Sequence, residues 1–268
     1  MRAMNRWKPF AAALASALPL VASAYPGGTP SYQTDVAPFC AACHSSRSAD
    51  ALAGAGDRAE KEVAEIKHIA VILAGPQGYQ SLSERDRQML AAQIRALDAA
   101  STVTLEAPGT VKPGQVFQVR VHVTGGAGPV VGIALVDSAH RWYARPAASA
   151  GWSVVAPPAI TGSDGKPRTD WLEKRPESAG RNLSFVNVTG IASDAVSSRW
   201  DAAQVIFTLR APDRPGSYPL AAAYFYGTEK ATLLGYTTDA NGRKRVRGGL
   251  SGGSGRLLFA PVQMIQVQ

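Results

Sequence analysis

The spacing of apolar side chains changes character near residue 101, and that change divides the chain into a helical part and a strand-rich part. In residues 58–73, Val63, Ile66, Ala70 and Leu73 recur at helical intervals, which predicts a helix with those four on its buried face. A second helix is predicted to start at a Ser83 N-cap, with Glu84 and Asp86 in its first turn and Leu90, Ile94 and Leu97 facing inward. Beyond Ser101 the chain becomes rich in β-branched residues and turns. Segments 102–107, 116–124, 130–137, 183–188, 203–211, 218–226 and 257–267 are predicted strands. Alternation is clearest in the second of these, where Phe117, Val119, Val121 and Val123 point one way and Gln118, Arg120 and His122 the other. Lys112-Pro113-Gly114-Gln115, Gly125-Gly126-Ala127-Gly128 and Asp213-Arg214-Pro215-Gly216 supply turns between them. Many short strands without helices between them predict an antiparallel β-sandwich over residues 102–268.

The first residues follow neither pattern. Arg2, Arg6 and Lys8 precede an Ala- and Leu-rich run that ends in Ala22-Ser23-Ala24, the order of features in a secretory signal peptide, predicted to span residues 1–24. That apolar run is short for a bilayer core of roughly 30 Å. No later segment has the length of a span, so the mature protein is expected to be exported, soluble and periplasmic, with no membrane span after cleavage. The full chain carries 28 basic and 20 acidic residues, a net charge of +8. Loss of Arg2, Arg6 and Lys8 leaves 25 against 20, or +5. This mild bias suits an acidic redox partner or an anionic surface, and equally an ordinary solvated surface with no specific partner. Nothing resembles a nucleic-acid-binding module, and no phosphate-binding loop is present.

The chain has two cysteines, and both lie in Phe39-Cys40-Ala41-Ala42-Cys43-His44. A Cys-x-x-Cys pair followed at once by His is the attachment pattern of c-type haem. The two thiols add to the porphyrin vinyl groups, the spacer sets their separation, and the adjacent imidazole reaches the iron. The alternatives fit less well. A thioredoxin-type redox pair wants a βαβ setting. A structural zinc site wants about four ligands. A plain disulfide leaves His44 without a role.

With Asp35-Val36-Ala37-Pro38-Phe39 leading into the motif and two helices closing the unit, residues 34–97 resemble a small monohaem c-type cytochrome domain. The resemblance implies one covalent haem c bound by Cys40 and Cys43, with His44 as axial iron ligand. Val111 to Val119 is similar, more weakly, to the opening hairpin of immunoglobulin-like modules. The expected fold class is therefore α + β in two domains: a small all-α cytochrome c domain over residues 25–101, then the antiparallel sandwich.

The sixth iron ligand is left open. Many such domains place a Met in the loop before the last helix, but Gly75-Pro76-Gln77-Gly78-Tyr79-Gln80-Ser81-Leu82 contains neither Met nor His. His68 is one candidate, although a helical wheel sets it with Lys61 and Glu65 on the polar side, which favours exposure. Met89 is another, although its place in the last helix beside Leu90 favours packing. An unliganded distal position is the third. The first functional reading is a single-electron carrier with no catalytic residues, its sandwich docking a redox partner. The second is a haem enzyme or small-ligand sensor with an open distal site, in sulfur or nitrogen oxidation. His122 is expected to be solvated and His140 to lack a metal-site partner. Trp152, Trp171 and Trp200 are expected to be core or cap residues, and the basic stretch 242–249 a hairpin tip or docking patch.

Overall fold

The computed structural model describes residues 65–75, 79–139, 144–168, 184–228, 236–238, 242, 244–246 and 255–268. The expected signal peptide, the Cys40, Cys43 and His44 motif, and also His140 and Trp171, lie outside the described residues.

A π-helical turn, Glu65–Ile69, runs into a short helix α1, Ala70–Ala74. Gly75 ends α1 at φ 88°, a left-handed conformation that suits glycine, and its N–H donates to the Val71 carbonyl at 3.0 Å. Helix α2, Glu84–Ala100, starts where expected: Ser83 Oγ accepts the Asp86 N–H at 3.1 Å. Leu90, Ile94 and Leu97 are fully buried.

Thirteen strands follow among the described residues. The first sheet is antiparallel. In it β1 (Thr102–Glu106) pairs with β3 (Val116–Thr124), β3 with β8 (Ala202–Arg210), and β8 with both β5 (Ser153–Val154) and β6 (Ala159–Gly162). The second sheet is centred on the long β9 (Gly216–Gly227), flanked on one side by β4 (Ala127–Val136) and then β7 (Phe185–Thr189). Its other side takes β12 (Gly255–Phe259) and β13 (Gln263–Val267) end to end, with β2 (Thr110–Val111) parallel to β13. A separate ribbon pairs β10 (Tyr236–Thr238) with β11 (Lys244–Val246).

The two sheets pack face to face. Val119, Val121, Val123, Val205, Phe207 and Leu209 from the first meet Ile133, Leu135, Leu220, Ala222, Tyr224 and Ile265 from the second in one cluster, as the alternation in β3 predicts. Strand β9 is buried on both faces. Ala221, Ala223 and Phe225 join Ala134, Val136, Phe185 and Leu257 in a second cluster on the opposite side of its sheet, with Phe185 and Phe225 edge to face at 5.8 Å.

These observations correct the expected fold class. Among the described residues the chain is mostly β, with only α1 and α2 as α-helices, and no all-α cytochrome domain is evident. The reason lies in α2. Its first turns pack on α1 through Leu90, Ala91 and Ile94, but Leu97 belongs to the core of the sandwich, so the helical pair is not closed on itself. An Ala-rich amphipathic stretch shows that a helix forms, not what its last turn packs against.

Two local expectations also change. The Lys112–Gln115 turn does not close a hairpin, because Val111 lies in the second sheet and Val116 in the first. Segment 257–267 is two strands, interrupted around Pro261, which has no N–H for the ladder.

Candidate functional site

The cysteines and His44 lie outside the described residues, so the candidate site is approached through the helical turns that follow them. His68 is placed differently from expectation. It is buried, at 5% exposure, while Ile66 and Leu73 on the supposed inner face are 53% and 38% exposed. The run Ile69-Ala70-Val71-Ile72-Leu73 is apolar all round, so spacing does not select a face. The π turn Glu65–Ile69 adds a residue to one turn and so breaks the regular helical period. The side chains turned inward are His68, Ile69 and Ile72.

Ile69 and Ile72 join Tyr79, Leu82, Leu90, Ala91 and Ile94 in a small cluster, with Val71 and Met89 packed against its edge. Tyr79 is 4% exposed, and its hydroxyl lies 3.5 Å from His68 Nε2. Arg87 ties down the connection from α1 to α2: Nε donates to the Leu73 carbonyl at 3.2 Å and Nη1 to the Leu82 carbonyl at 2.8 Å. Arg95 forks onto Glu65 at 3.1 and 2.8 Å, and the hydrogen bond holds the Glu65 carboxyl below its usual range. Both partners are about half exposed, so this bridge contributes little, ~0.5 kcal/mol.

A polar joint fastens α2 to the sandwich, and sequence reasoning missed it. Asp98 accepts from the Tyr226 hydroxyl at 3.0 Å and from Arg256 Nε at 2.9 Å. Ser101 Oγ donates to the Leu97 carbonyl at 2.7 Å and accepts the Gly126 N–H at 2.8 Å. The Tyr224 hydroxyl donates to the Gly125 carbonyl at 3.0 Å. Burial first, and then the Asp98 charge, push the Tyr226 phenol far above its ordinary range, so it stays a proton donor. The only available signals were two tyrosines in a strand and an Asp at a helix end.

His122 lies on the outer face of β3, 39% exposed at the side chain, with Nε2 3.3 Å from Glu106 Oε1. Trp152 is core: its indole N–H donates to the Pro219 carbonyl at 2.9 Å, and its ring meets Phe117 and Tyr218 edge to face. Trp200 packs against the same core. The basic stretch includes strand β11, which pairs with β10 as a ribbon. Among the described residues no group of three or more His, Cys, Asp or Glu side chains is placed to hold a metal.

Asp201 anchors the turn before β8. Its carboxylate accepts from the Ser163 hydroxyl and from the Ala192 and Ala202 N–H groups, the last two at 2.8 Å. Burial pushes its pKa up, but the hydrogen bonds outweigh burial and the net shift is downward. A carboxyl depressed in the folded state stabilises above its unfolded pKa, roughly 3.9, and loses that contribution as pH falls through the folded value. Asp201→Asn is therefore expected to cost about 1 kcal/mol at pH 7, allowing for solvent screening, and less at pH 3. Urea melts at the two pH values check this.

Among the described residues no helix is long and apolar enough to cross a membrane. No protein-family model matches the chain, and no curated protein matches it. Among solved structures it is similar to the CARDB domain of a Pyrococcus furiosus protein, determined in complex with di-metal ions. The identity is 12% and the TM-score 0.23, over 63% of this chain and 90% of that one. A likeness that loose transfers neither family nor function.

Proposed function

We propose that the chain is an exported, periplasmic c-type haem protein that passes single electrons to a partner protein. The observation that carries this reading is Cys40-Ala41-Ala42-Cys43-His44, which uses both cysteines of the chain behind an N-terminal leader pattern. Cys40 and Cys43 would hold the haem through thioether bonds, each thiol adding across a vinyl group with its hydrogen going to the other vinyl carbon, so that no oxidant would be needed. His44 would hold the iron through an imidazole nitrogen. Bound in this way, haem supplies a one-electron ferric/ferrous couple. The role of the rest of the chain is to hold and present this site, with the sandwich as the docking body and the excess of basic residues favouring an acidic redox partner.

The test is expression of the full chain in a host that matures c-type haem, followed by acidic acetone extraction and a pyridine haemochrome spectrum. One haem per chain should resist extraction, be reversibly reduced by dithionite, and disappear in the paired Cys40→Ser and Cys43→Ser variant. A purified protein without covalent haem, or one whose haem shows no reversible redox change, overturns the reading.

A further inference from the structure

We infer that the basic ribbon β10–β11 is a docking element for an anionic lipid bilayer. This goes beyond the haem reading and does not depend on it. The ribbon lies inside a connection far longer than the fold requires. Gly227 of β9 pairs with Gly255 of β12, so that hairpin could close there with a turn of roughly two to five residues. Residues 228–254 intervene instead, well beyond the ~12–15 residues above which a loop usually has a function of its own.

Within that excursion Tyr236, Thr237 and Thr238 pair with Val246, Arg245 and Lys244, and among the described residues this two-stranded sheet joins neither sheet of the sandwich. A two-stranded ribbon on its own is marginally stable in water, so it adds little to the fold. What it adds is charge. Residues 228–254 hold five basic residues, Lys230, Arg243, Lys244, Arg245 and Arg247, against two acidic ones, Glu229 and Asp239, which is +3 of the chain's net +8. Four of the five basic residues fall within residues 242–247, a stretch with no acid. A single lysine is enough to guard an edge strand against pairing with another chain, and four cations exceed that need.

The arrangement favours a charged plane over a shaped protein patch. Successive residues of a strand alternate between its faces, so Lys244 and Arg245 stand on opposite faces of the ribbon. A partner protein seated on one face would meet only part of the charge. A bilayer surface approached by the turn end, at Gly242 with φ 76°, meets the charges of both faces. Past the ribbon, residues 248–255 contain five glycines, which offer no side chains for shape-specific recognition. Lipid headgroups require none, because a cluster of about four or more Lys and Arg is held by the negative surface potential within roughly one Debye length.

The test uses the full-length protein, isolated from an exporting host, and sucrose-loaded vesicles of phosphatidylcholine with about 30 mol% phosphatidylglycerol. The protein should sediment with these vesicles at low salt, stay in solution with pure phosphatidylcholine, and be released by ~0.5 M NaCl, where the Debye length is about 4 Å. Lys244→Gln with Arg245→Gln should weaken binding about 25-fold, at about fivefold per charge removed. The control takes the same charge from the outer face of the first sheet: Arg120→Gln with Arg210→Gln, both exposed, should change binding by less than about twofold. A wild type that ignores the anionic vesicles, binds neutral ones equally, or is weakened as much by the control pair as by the ribbon pair overturns the inference. Capture by soluble polyglutamate without binding to vesicles also overturns it and assigns the ribbon to an acidic protein. The salt titration of the wild type reads the charge dependence even if a variant does not fold. Neither pair of substitutions touches Cys40, Cys43 or His44, so the haem reading stands or falls on the haemochrome alone.

Discussion

Replacing Gly126 by alanine is expected to destabilise the protein by about 3 kcal/mol. Gly125 and Gly126 carry the chain from β3 in the first sheet to β4 in the second with φ of 73° and 65°. Left-handed backbone alone costs a non-glycine residue roughly 1 kcal/mol. The larger part is steric. A Cβ at position 126 would run into the Tyr224 hydroxyl and stand 2.7 Å from Tyr226 Cβ and 2.9 Å from Tyr224 Cζ. Neither tyrosine can give way easily, since Tyr224 is fully buried and bonded to the Gly125 carbonyl, and Tyr226 is bonded to Asp98. The Gly126 N–H is also held by Ser101, so the backbone cannot swing clear without breaking that bond. Overpacking of this kind adds about 2 kcal/mol. Gly165→Ala is the control, because Gly165 has φ 73° and open space around the added carbon. It should cost only about 1 kcal/mol, the backbone contribution alone. Urea unfolding of the two variants separates the effects, and equal losses would show that crowding at the tyrosines is not what matters.

How much of this could be read from the sequence depended on whether one face of each element was plainly polar. Strand β3 alternates cleanly, so Val119, Val121 and Val123 were legible as core. Ser83 was legible as a cap because the Ser, the acidic first turn and the apolar stripe agree. Strand β9 gave no such signal. Its Ala-Ala-Ala-Tyr-Phe-Tyr run is buried on both faces, and without alternation nothing says which tyrosine meets the helix. The same failure hid His68, because an all-apolar neighbouring run leaves the inward face undetermined and a π turn breaks the assumed period. The fold class failed for a related reason. Helical propensity in the alanine-rich segment is real, but it is tertiary packing of Leu97 and the bonds of Asp98 that join α2 to the sandwich. The attachment motif is readable only as a motif, through the chemistry of two thiols and an adjacent imidazole.

That joint gives the second large expected effect. Asp98→Ala should cost about 3 kcal/mol, because it leaves a cation largely buried and unpaired. The Arg256 side chain is 11% exposed, Asp98 is its ion-pair partner at 2.9 Å, and among the described residues Arg256 Nη2 has no hydrogen-bond acceptor. The Tyr226 hydroxyl loses its acceptor in the same variant. Removing the cation instead should be milder. Arg256→Leu deletes the buried charge together with its unpaired nitrogen and fills part of the space, while Asp98, 25% exposed at its side chain, keeps Tyr226 and access to water. A loss of about half that of Asp98→Ala is expected. The two variants should differ in where they loosen the molecule as well as by how much. Hydrogen exchange in Asp98→Ala should show the amides of α2 losing protection before those of β3 and β8, since the sandwich keeps its own core when the helix end is released. Protection lost equally in all three elements, or a larger loss from Arg256→Leu, would mean that Asp98 does not fasten the helix to the sandwich.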